Sequence, residues 1–445
     1  MASDLLSIAK SGARTARIAL DVTAQNIANA SSEGYVRRTV RLEEVAAAGG
    51  FGRVGDVSLS GSRLDQVVRN ADLFRQAEVR RTGADSARAN AEVAGLENIE
   101  TAVEQTGVFR AIVDFEASLE RLSGNPVDTS LRASVMEEAR TMTRTLNIAA
   151  TSLDAVGEGL RFEAAEDVAQ VNLMAGELAR VNLRLARAAD ASSDQTLLLD
   201  QRDLLLQQIS EHVDVSTTIA ADHTVEVRLA GAAGPQLVSG GDTFDFAMAT
   251  AVDGTISFTL DGSPVTPLSG SLVGRGQALQ KMVQIGDDLD AIAAGVISTV
   301  NGVQTSGAAL DGSAGQPLFS GTGAADIAFA FSDGAGIATA PAGAPAGSRD
   351  PANLDALRTA LAGSNPAGAM DALLFDISGT VSGRSRTRDA IDTIAGTARI
   401  ALQAQAGVDL DQEAVNLVRF QQAFQASGRV MQVASDLFDT LLGIR

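Results

Sequence analysis

Along the C-terminal stretch, Leu410, Ala414, Leu417, Gln421, Phe424, Gly428, Met431, Ser435, Phe438 and Leu442 follow one another at alternating steps of four and three. That spacing predicts a helix with a heptad seam against another helix. A second row at Val418, Ala423, Val430, Leu437, Leu441 and Ile444 widens the apolar face beyond a two-stranded seam. At ~1.5 Å per residue such a helix runs roughly 50 Å, longer than a compact domain usually holds, so its partner is expected from elsewhere. The first thirty residues offer one. Leu5, Ile8, Gly12, Thr15, Ala19, Val22 and Asn26 keep the same alternation, beside a parallel row from Leu6 through Leu20 to Ile27. The shared period predicts paired coiled-coil termini with the rest of the chain inserted between them. Two ordinary amphipathic helices docked on a globular core satisfy the same pattern.

Between the termini the period changes repeatedly. Residues from Arg37 to about Leu64 read as extended, with a Gly-rich turn at Gly49-Gly50, and helical spacing returns from Leu64 to about Thr106. A short helix from Phe109 to Leu122 stops at Ser123-Gly124-Asn125-Pro126. A long helix is expected from Thr129 to about Ala189, with Gly157 and Gly159 tolerated inside it, then another over 196–213. From Val213 to about Leu272 the chain alternates and turns on Asp253-Gly254 and Asp261-Gly262, which predicts short antiparallel strands. Helix resumes from Gln277 to Val300. Loops with short strands, such as one at 326–331, fill 301–351, with a flexible loop at 339–351. Helices from Leu354 and from Ala369 to Leu402 lead into the terminal helix. The fold class is therefore mainly α with an inserted β domain. Its expected parts are a terminal coiled-coil domain (1–36 and 406–445), a helical stalk (37–212 and 276–405) and a β domain at 213–275.

Composition narrows the function classes. The chain has 445 residues, no Cys and no Trp, and a net charge of −20. The acidic balance argues against nucleic acid or an anionic membrane as partner, and no apolar run is long enough to span a bilayer. Positive charge is almost all Arg, since Lys10 and Lys281 are the only lysines. The N-terminus lacks the charged and apolar regions of a cleaved signal. His212 and His223 cannot hold a metal by themselves, and the default for both is a solvent-exposed surface. Asp287, Asp288 and Asp290 read as a solvated helix face. Asp409, Asp411 and Glu413 read as helix-start residues, with Asp409 or Asp411 as cap. Gly321-x-Gly323 and Gly334-x-Gly336 read as turns. No catalytic, cofactor-binding or metal motif emerges.

One motif is specific. The first helix runs into Asn26-Ile27-Ala28-Asn29, followed by Gly34 and the chain's single tyrosine, Tyr35. This resembles the N-terminal signature of the bacterial flagellar rod, hook and hook-associated axial proteins, with Ser32-Glu33 in place of the usual Thr-Pro. The terminal helix resembles the same family's C-terminal helix. The run Asp200-Gln201-Arg202-Asp203 resembles a segment found in the hook–filament junction branch and absent from rod and hook subunits.

The resemblance implies a structural, non-enzymatic flagellar protein exported through a type III apparatus without a cleaved signal. It also implies self-association into a tube through Leu5, Ile8, Leu20, Ile27, Leu410, Leu417, Phe424, Met431, Leu437, Phe438 and Leu442. The partners it implies are the hook protein, hook-associated protein 3 and a cytoplasmic export chaperone. A rod or hook subunit, or a binding module on a helical stalk, stands as the alternative.

Overall fold

The computed structural model describes residues 2–46, 59–190 and 192–443. The chain divides into two compact units. One comprises Met1–Ala84, Val171–Asp245 and Asp392–Arg445; the other comprises Asp85–Gln170 and Phe246–Ile391. The Gly49-Gly50 turn lies outside the described residues.

In the first unit, α1 (Ala2–Ala28) lies along α9 (Leu410–Gly443). A Cβ on Gly12 would come 3.0 Å from Ser427 Oγ, and Asn26 meets Glu413, so the two helices run antiparallel. Small side chains permit the approach: Ala9, Ala13, Ala16 and Ala19 are all buried. Strands β1 (Arg38–Ala46) and β2 (Leu59–Arg69) form an antiparallel ribbon against α1. Leu64 and Val67, read as helical from their spacing, belong to β2. Pairing with β1 overrides the local period there, and α2 (Leu73–Glu104) starts only after Asp72. Asp72 Oδ1 accepts from the amides of Phe74 and Arg75 at 2.9 and 3.0 Å, satisfying two of the helix's free donors.

Helix α4 (Thr129–Leu185) passes unbroken through Gly157 and Gly159. Its C-terminal part in this unit carries Asn182, whose side chain donates to the carbonyls of Val225 and Gly240 and accepts from Val225 N, each at 2.9 Å. These bonds fix the helix to a four-stranded sheet of β3 (Val215–Ile219), β4 (Val225–Leu229), β5 (Gln236–Ser239) and β6 (Asp242–Thr243). Helix α5 (Ser193–His212) precedes that sheet and is capped by Ser192, whose side chain accepts from Gln195 N.

The second unit holds a continuous apolar core. Phe115 and Leu119 come from α3 (Val108–Gly124), and Val135, Met142 and Leu146 from α4. Ile285 and Leu289 come from α6 (Ser271–Gln304), Leu357 from α7 (Ala352–Ser364), and Met370 from α8 (Pro366–Ala406). The strands of 213–275 make two sheets. The second, β7 (Phe246–Thr250), β8 (Ile256–Leu260) and β9 (Ser263–Val265), lies in this unit. Asp261 and Gly262, with φ of 49° and 75°, make the tight β8–β9 turn that the sequence signals.

The segment between α6 and α7 pairs in two-residue strands only: β10 (Gly307–Ala308) with β13 (Ala340–Pro341), and β11 (Phe319–Ser320) with β12 (Ala328–Phe329). Buried polar side chains do the rest. Arg132, 1% exposed, donates to the carbonyls of Pro126, Gly334 and Ile337 and to Thr339 Oγ1 at 2.7–2.9 Å. Asn301 binds both faces of the 318–319 backbone. The Gly- and Ala-rich stretch expected as a flexible loop takes two successive turns, Ala344 N to Pro341 O and Ser348 N to Pro345 O.

Candidate functional site

Helix α1 ends at Ala28. Asn29 Nδ2 donates to Gln25 O at 2.9 Å, and Gly34, with φ of 74°, turns the chain back along the helix. A side chain at Gly34 would also press on Leu204, since its Cβ would lie 3.1 Å from the Leu204 Cβ. The return brings residues 35–38 beside Asn26. Asn26 Oδ1 accepts from the Arg38 amide (3.0 Å) and from the Tyr35 hydroxyl (2.9 Å), while Nδ2 donates to Arg38 O (2.8 Å) and Glu413 Oε2 (3.3 Å). Both donors and both acceptor sites of one buried amide are thus used, which neither Asp nor Leu reproduces.

From Asn26 the network spreads through charge. Arg37 donates to Glu413 Oε1 through Nε (2.8 Å) and Nη2 (2.7 Å), and its backbone amide donates to Ala406 O (2.9 Å). Arg38 stacks over the Tyr35 ring and donates to Asp200 Oδ2 at 3.0 Å. Arg69 takes Asp200 Oδ1 (2.6 Å) and Asp203 Oδ2 (2.7 Å), and Gln76 Nε2 also donates to that Oδ2 (2.8 Å). Arg202 grips Asp203 Oδ1 with two nitrogens and reaches His223 O, on the turn between β3 and β4, at 2.8 Å. The α1 exit, the β1–β2 ribbon, α2, α5 and the α8–α9 joint are thereby tied together.

Burial pushes the Asp203 carboxyl up, but Arg69 and Arg202 outweigh it and hold the group below the usual carboxylate range. Burial raises Tyr35, an effect that Arg38 opposes and that Asp200 and Glu413 reinforce. Burial also lowers Arg80. Three polar atoms in this cluster have no partner among the described residues: Arg38 Nε, Arg69 Nη2 and Gln76 Oε1.

Of the signature residues, Asn26, Tyr35, Asp200, Arg202 and Asp203 meet in this one network, with Gly34 making its turn. Ile27 and Gln201 are half-buried beside it, Ala28 is exposed, and Asn29 ties off the helix end. The sequence reading missed Arg37, Arg38, Arg69, Gln76 and Glu413. Glu413 was read as a helix-start charge, yet it is 1% exposed, and Asp409 alone provides the cap, accepting from the amides of Asp411 and Gln412. The signal for Arg37 and Arg38 was their pairing one residue after Gly34-Tyr35.

Beside the network lies a cavity of about 720 Å³. It is walled by the 30–36 turn, Gln76 and Arg80 of α2, Leu204 and Glu211 of α5, and the end of α8 from Arg399 onward.

Along α9, the side facing α1 is formed by Glu413, Leu417, Met431 and Ala434, all buried or half-buried. Leu20 and Ile27 of α1 are half-buried. Leu5, Ile8, Leu410, Phe424, Leu437 and Phe438 stay exposed after the helices have paired. The Leu442 side chain and Ile444 lie outside the described residues.

Elsewhere, His223 is exposed in a turn, but His212 is half-buried. Asp287 and Asp288 face solvent. Asp290 does more, accepting from Ala324 N at 2.7 Å to anchor the 321–327 loop. Gly321 sits at a positive φ, and Gly334–Gly336 is a single 3-10 turn. Among the described residues no group of His, Asp or Glu could hold a metal ion, and no helix is long and apolar enough to cross a membrane.

Comparison with known proteins places these features. Residues 93–319 match the flagellar hook-associated protein FlgK helical domain. Residues 6–35 match the flagella basal body rod protein family, and residues 403–444 the flagellar basal body rod FlgEFG protein C-terminal family. Flagellar hook-associated protein 1 of Bacillus subtilis is 25% identical over 497 residues, covering 98% of this chain and 97% of that protein. The Salmonella typhimurium protein of the same name is 23% identical, covering 72% of this chain and 59% of its own length. The flagellar hook junction protein FlgK from Burkholderia pseudomallei aligns with a TM-score of 0.50 at 21% identity, over 55% of this chain and 46% of that one, a likeness of fold.

Proposed function

This chain belongs to the FlgK family of flagellar hook-associated proteins, and we propose that it joins the hook to the filament as a structural subunit on which filament assembly depends. The family is one of structural flagellar components that assemble with other axial proteins. The observation that carries the reading is the apolar surface left on α1 and α9 once each has covered the other. Leu5, Ile8, Val418, Val430, Val433, Leu437 and Phe438 remain exposed on a pair of helices that has already used its mutual seam. A surface of this kind marks a site of protein association. Neighbouring copies cover it in this reading, so that the domain of 1–36 and 406–445 forms the inner wall of a tube. The helical part (37–212 and 276–405) is a stalk in this reading, and the β region of 213–275 faces outward.

The partners in this reading are the hook protein on one side and hook-associated protein 3 on the other. Before export without a cleaved signal, a cytoplasmic chaperone shields α9, whose apolar face would otherwise drive aggregation. The protein is extracellular once assembled and performs no catalysis. Electron microscopy of cells lacking the gene tests the role. Hooks without filaments, with flagellin released to the medium, are expected; absent hooks would move the protein to the rod or hook, and normal flagella would end the reading. Loss of chaperone binding on removal of 410–442 is the corresponding expectation for export.

A further inference from the structure

The cavity beside the polar network, about 720 Å³, falls in the range of small-molecule sites, roughly 300–1,000 Å³. All of its lining residues belong to the first unit. Two of them, Gln76 and Arg80, stand one turn apart on the same face of α2. Gln76 is 7% exposed, and its Nε2 donates to the ionised Asp203, which can only accept, so Oε1 is an obligate acceptor. That oxygen is buried and has no partner among the described residues. Arg80 does not supply one. Its hydrogen bond runs to Thr217 Oγ1 at 3.3 Å, it has no ion pair with a described residue, and burial works against its charge.

The other charges of the wall carry both signs. Arg399 is exposed there, as are the carboxylates of Glu33, Glu211 and Asp409. None of these four has an ion pair with a described residue. A bare anion would compensate Arg80 but would meet three carboxylates, and a bare cation would meet two guanidinium groups. A neutral ligand would leave the half-buried Arg80 without a counter-charge. A small ligand carrying both charges matches the whole wall.

We infer that this cavity binds a small zwitterion with free amino and carboxylate ends, of the size of an amino acid or a dipeptide. Its carboxylate pairs with Arg80. Its ammonium group donates to Gln76 Oε1 and is held by Glu33 and Glu211. Positions one turn apart on a helix lie about 5–6 Å from each other, a spacing that suits the two ends of so short a ligand. The binding needs neither a second copy nor another axial protein, so its presence or absence is independent of the junction role.

Isothermal titration calorimetry of the purified full-length chain tests it with three probes. These are Ala-Ala, its N-acetylated form, which lacks the ammonium group, and its C-terminal amide, which lacks the carboxylate. Ala-Ala should bind saturably, and each blocked form at least about tenfold more weakly, the loss expected when a hydrogen bond to a charged group is removed. No saturable binding of Ala-Ala at millimolar concentration, or equal binding of the three probes, overturns the inference. Glu33→Gln with Glu211→Gln, both at exposed positions, should bring Ala-Ala down to the affinity of the acetylated form and leave the acetylated form unweakened. A double variant that still prefers Ala-Ala to the same degree as wild type would place the binding elsewhere and equally overturn the inference.

Discussion

Replacing Asp203 by Asn should destabilise the first unit by about 2–4 kcal/mol. The carboxylate accepts four hydrogen bonds, from Arg69, Gln76 and twice from Arg202, at 2.7–2.9 Å. The Asp203 side chain is 9% exposed, and those of Arg69 and Arg202 are 7% and 3% exposed, so water cannot replace what is lost. Removing one partner of a buried ion pair costs about 3–5 kcal/mol. The amide still accepts on one oxygen, which returns about 1 kcal/mol, but its NH₂ then points at a guanidinium donor. Against a domain stability of about 5–15 kcal/mol, the loss is large.

A chain of two units need not unfold in one step, so the probe must belong to the first unit. The chain has one Tyr and no Trp, and Tyr35 sits inside the network. Urea unfolding followed by tyrosine fluorescence therefore reads this unit. Replacing the pair together, Arg202→Met with Asp203→Leu, should recover most of the loss, because no charge is then stranded. A cost for Asp203→Asn below about 0.5 kcal/mol, the range of an ordinary surface change, would refute the view that the network holds the unit.

Because the folded Asp203 carboxyl lies below its unfolded value of about 3.9, its contribution is full above that value and is lost as pH falls through the native one. Acid unfolding of D203N should accordingly be flatter than that of wild type. Tyr35 has the opposite profile. Its raised value means that its contribution is present below the ordinary tyrosine value of about 10 and is lost as pH rises through the native one, so phenolate absorbance should rise only at higher pH until the protein unfolds. Arg132→Met should leave three carbonyls and a hydroxyl unmet, cost about 3 kcal/mol, and open the 331–341 segment to limited proteolysis. Gly274→Ala should cost about 1–3 kcal/mol by overpacking, since its Cβ would meet Arg88 O at 2.2 Å; Gly286→Ala, with open space around it, should stabilise by about 0.5–1 kcal/mol. Thermal unfolding of the pair checks both signs.

Much of the helical architecture is legible because apolar spacing reports burial directly. Val135, Ala139, Met142, Leu146, Ala149 and Leu153 were read as one seam of α4, and all six are buried. The signature residues were found, but not why they matter together, since Asn26 and Glu413 are distant in sequence and only the antiparallel pairing of α1 with α9 joins them. Only the second half of β2 was misread, because Leu64 and Val67 also fit a helical step and the strand β1 whose pairing decides the matter lies well back in the sequence. Glu413 looked like a helix-start charge because local rules see the helix dipole and not a guanidinium that arrives from residue 37. The segment from 301 to 351 was read as loops with short strands, and what orders it was not legible because the order comes from side chains outside it or at its edges, Arg132, Asn301 and Asn353.

The most direct test of the junction role is to see where the protein sits. Val252, fully exposed in the β7–β8 turn, is a site for a short epitope insertion, and gold-labelled antibody on isolated flagella reads its position in the electron microscope. One narrow band at the boundary between hook and filament is the predicted result. Label distributed along the hook or the rod, or no label on intact flagella that still carry filaments, would contradict it.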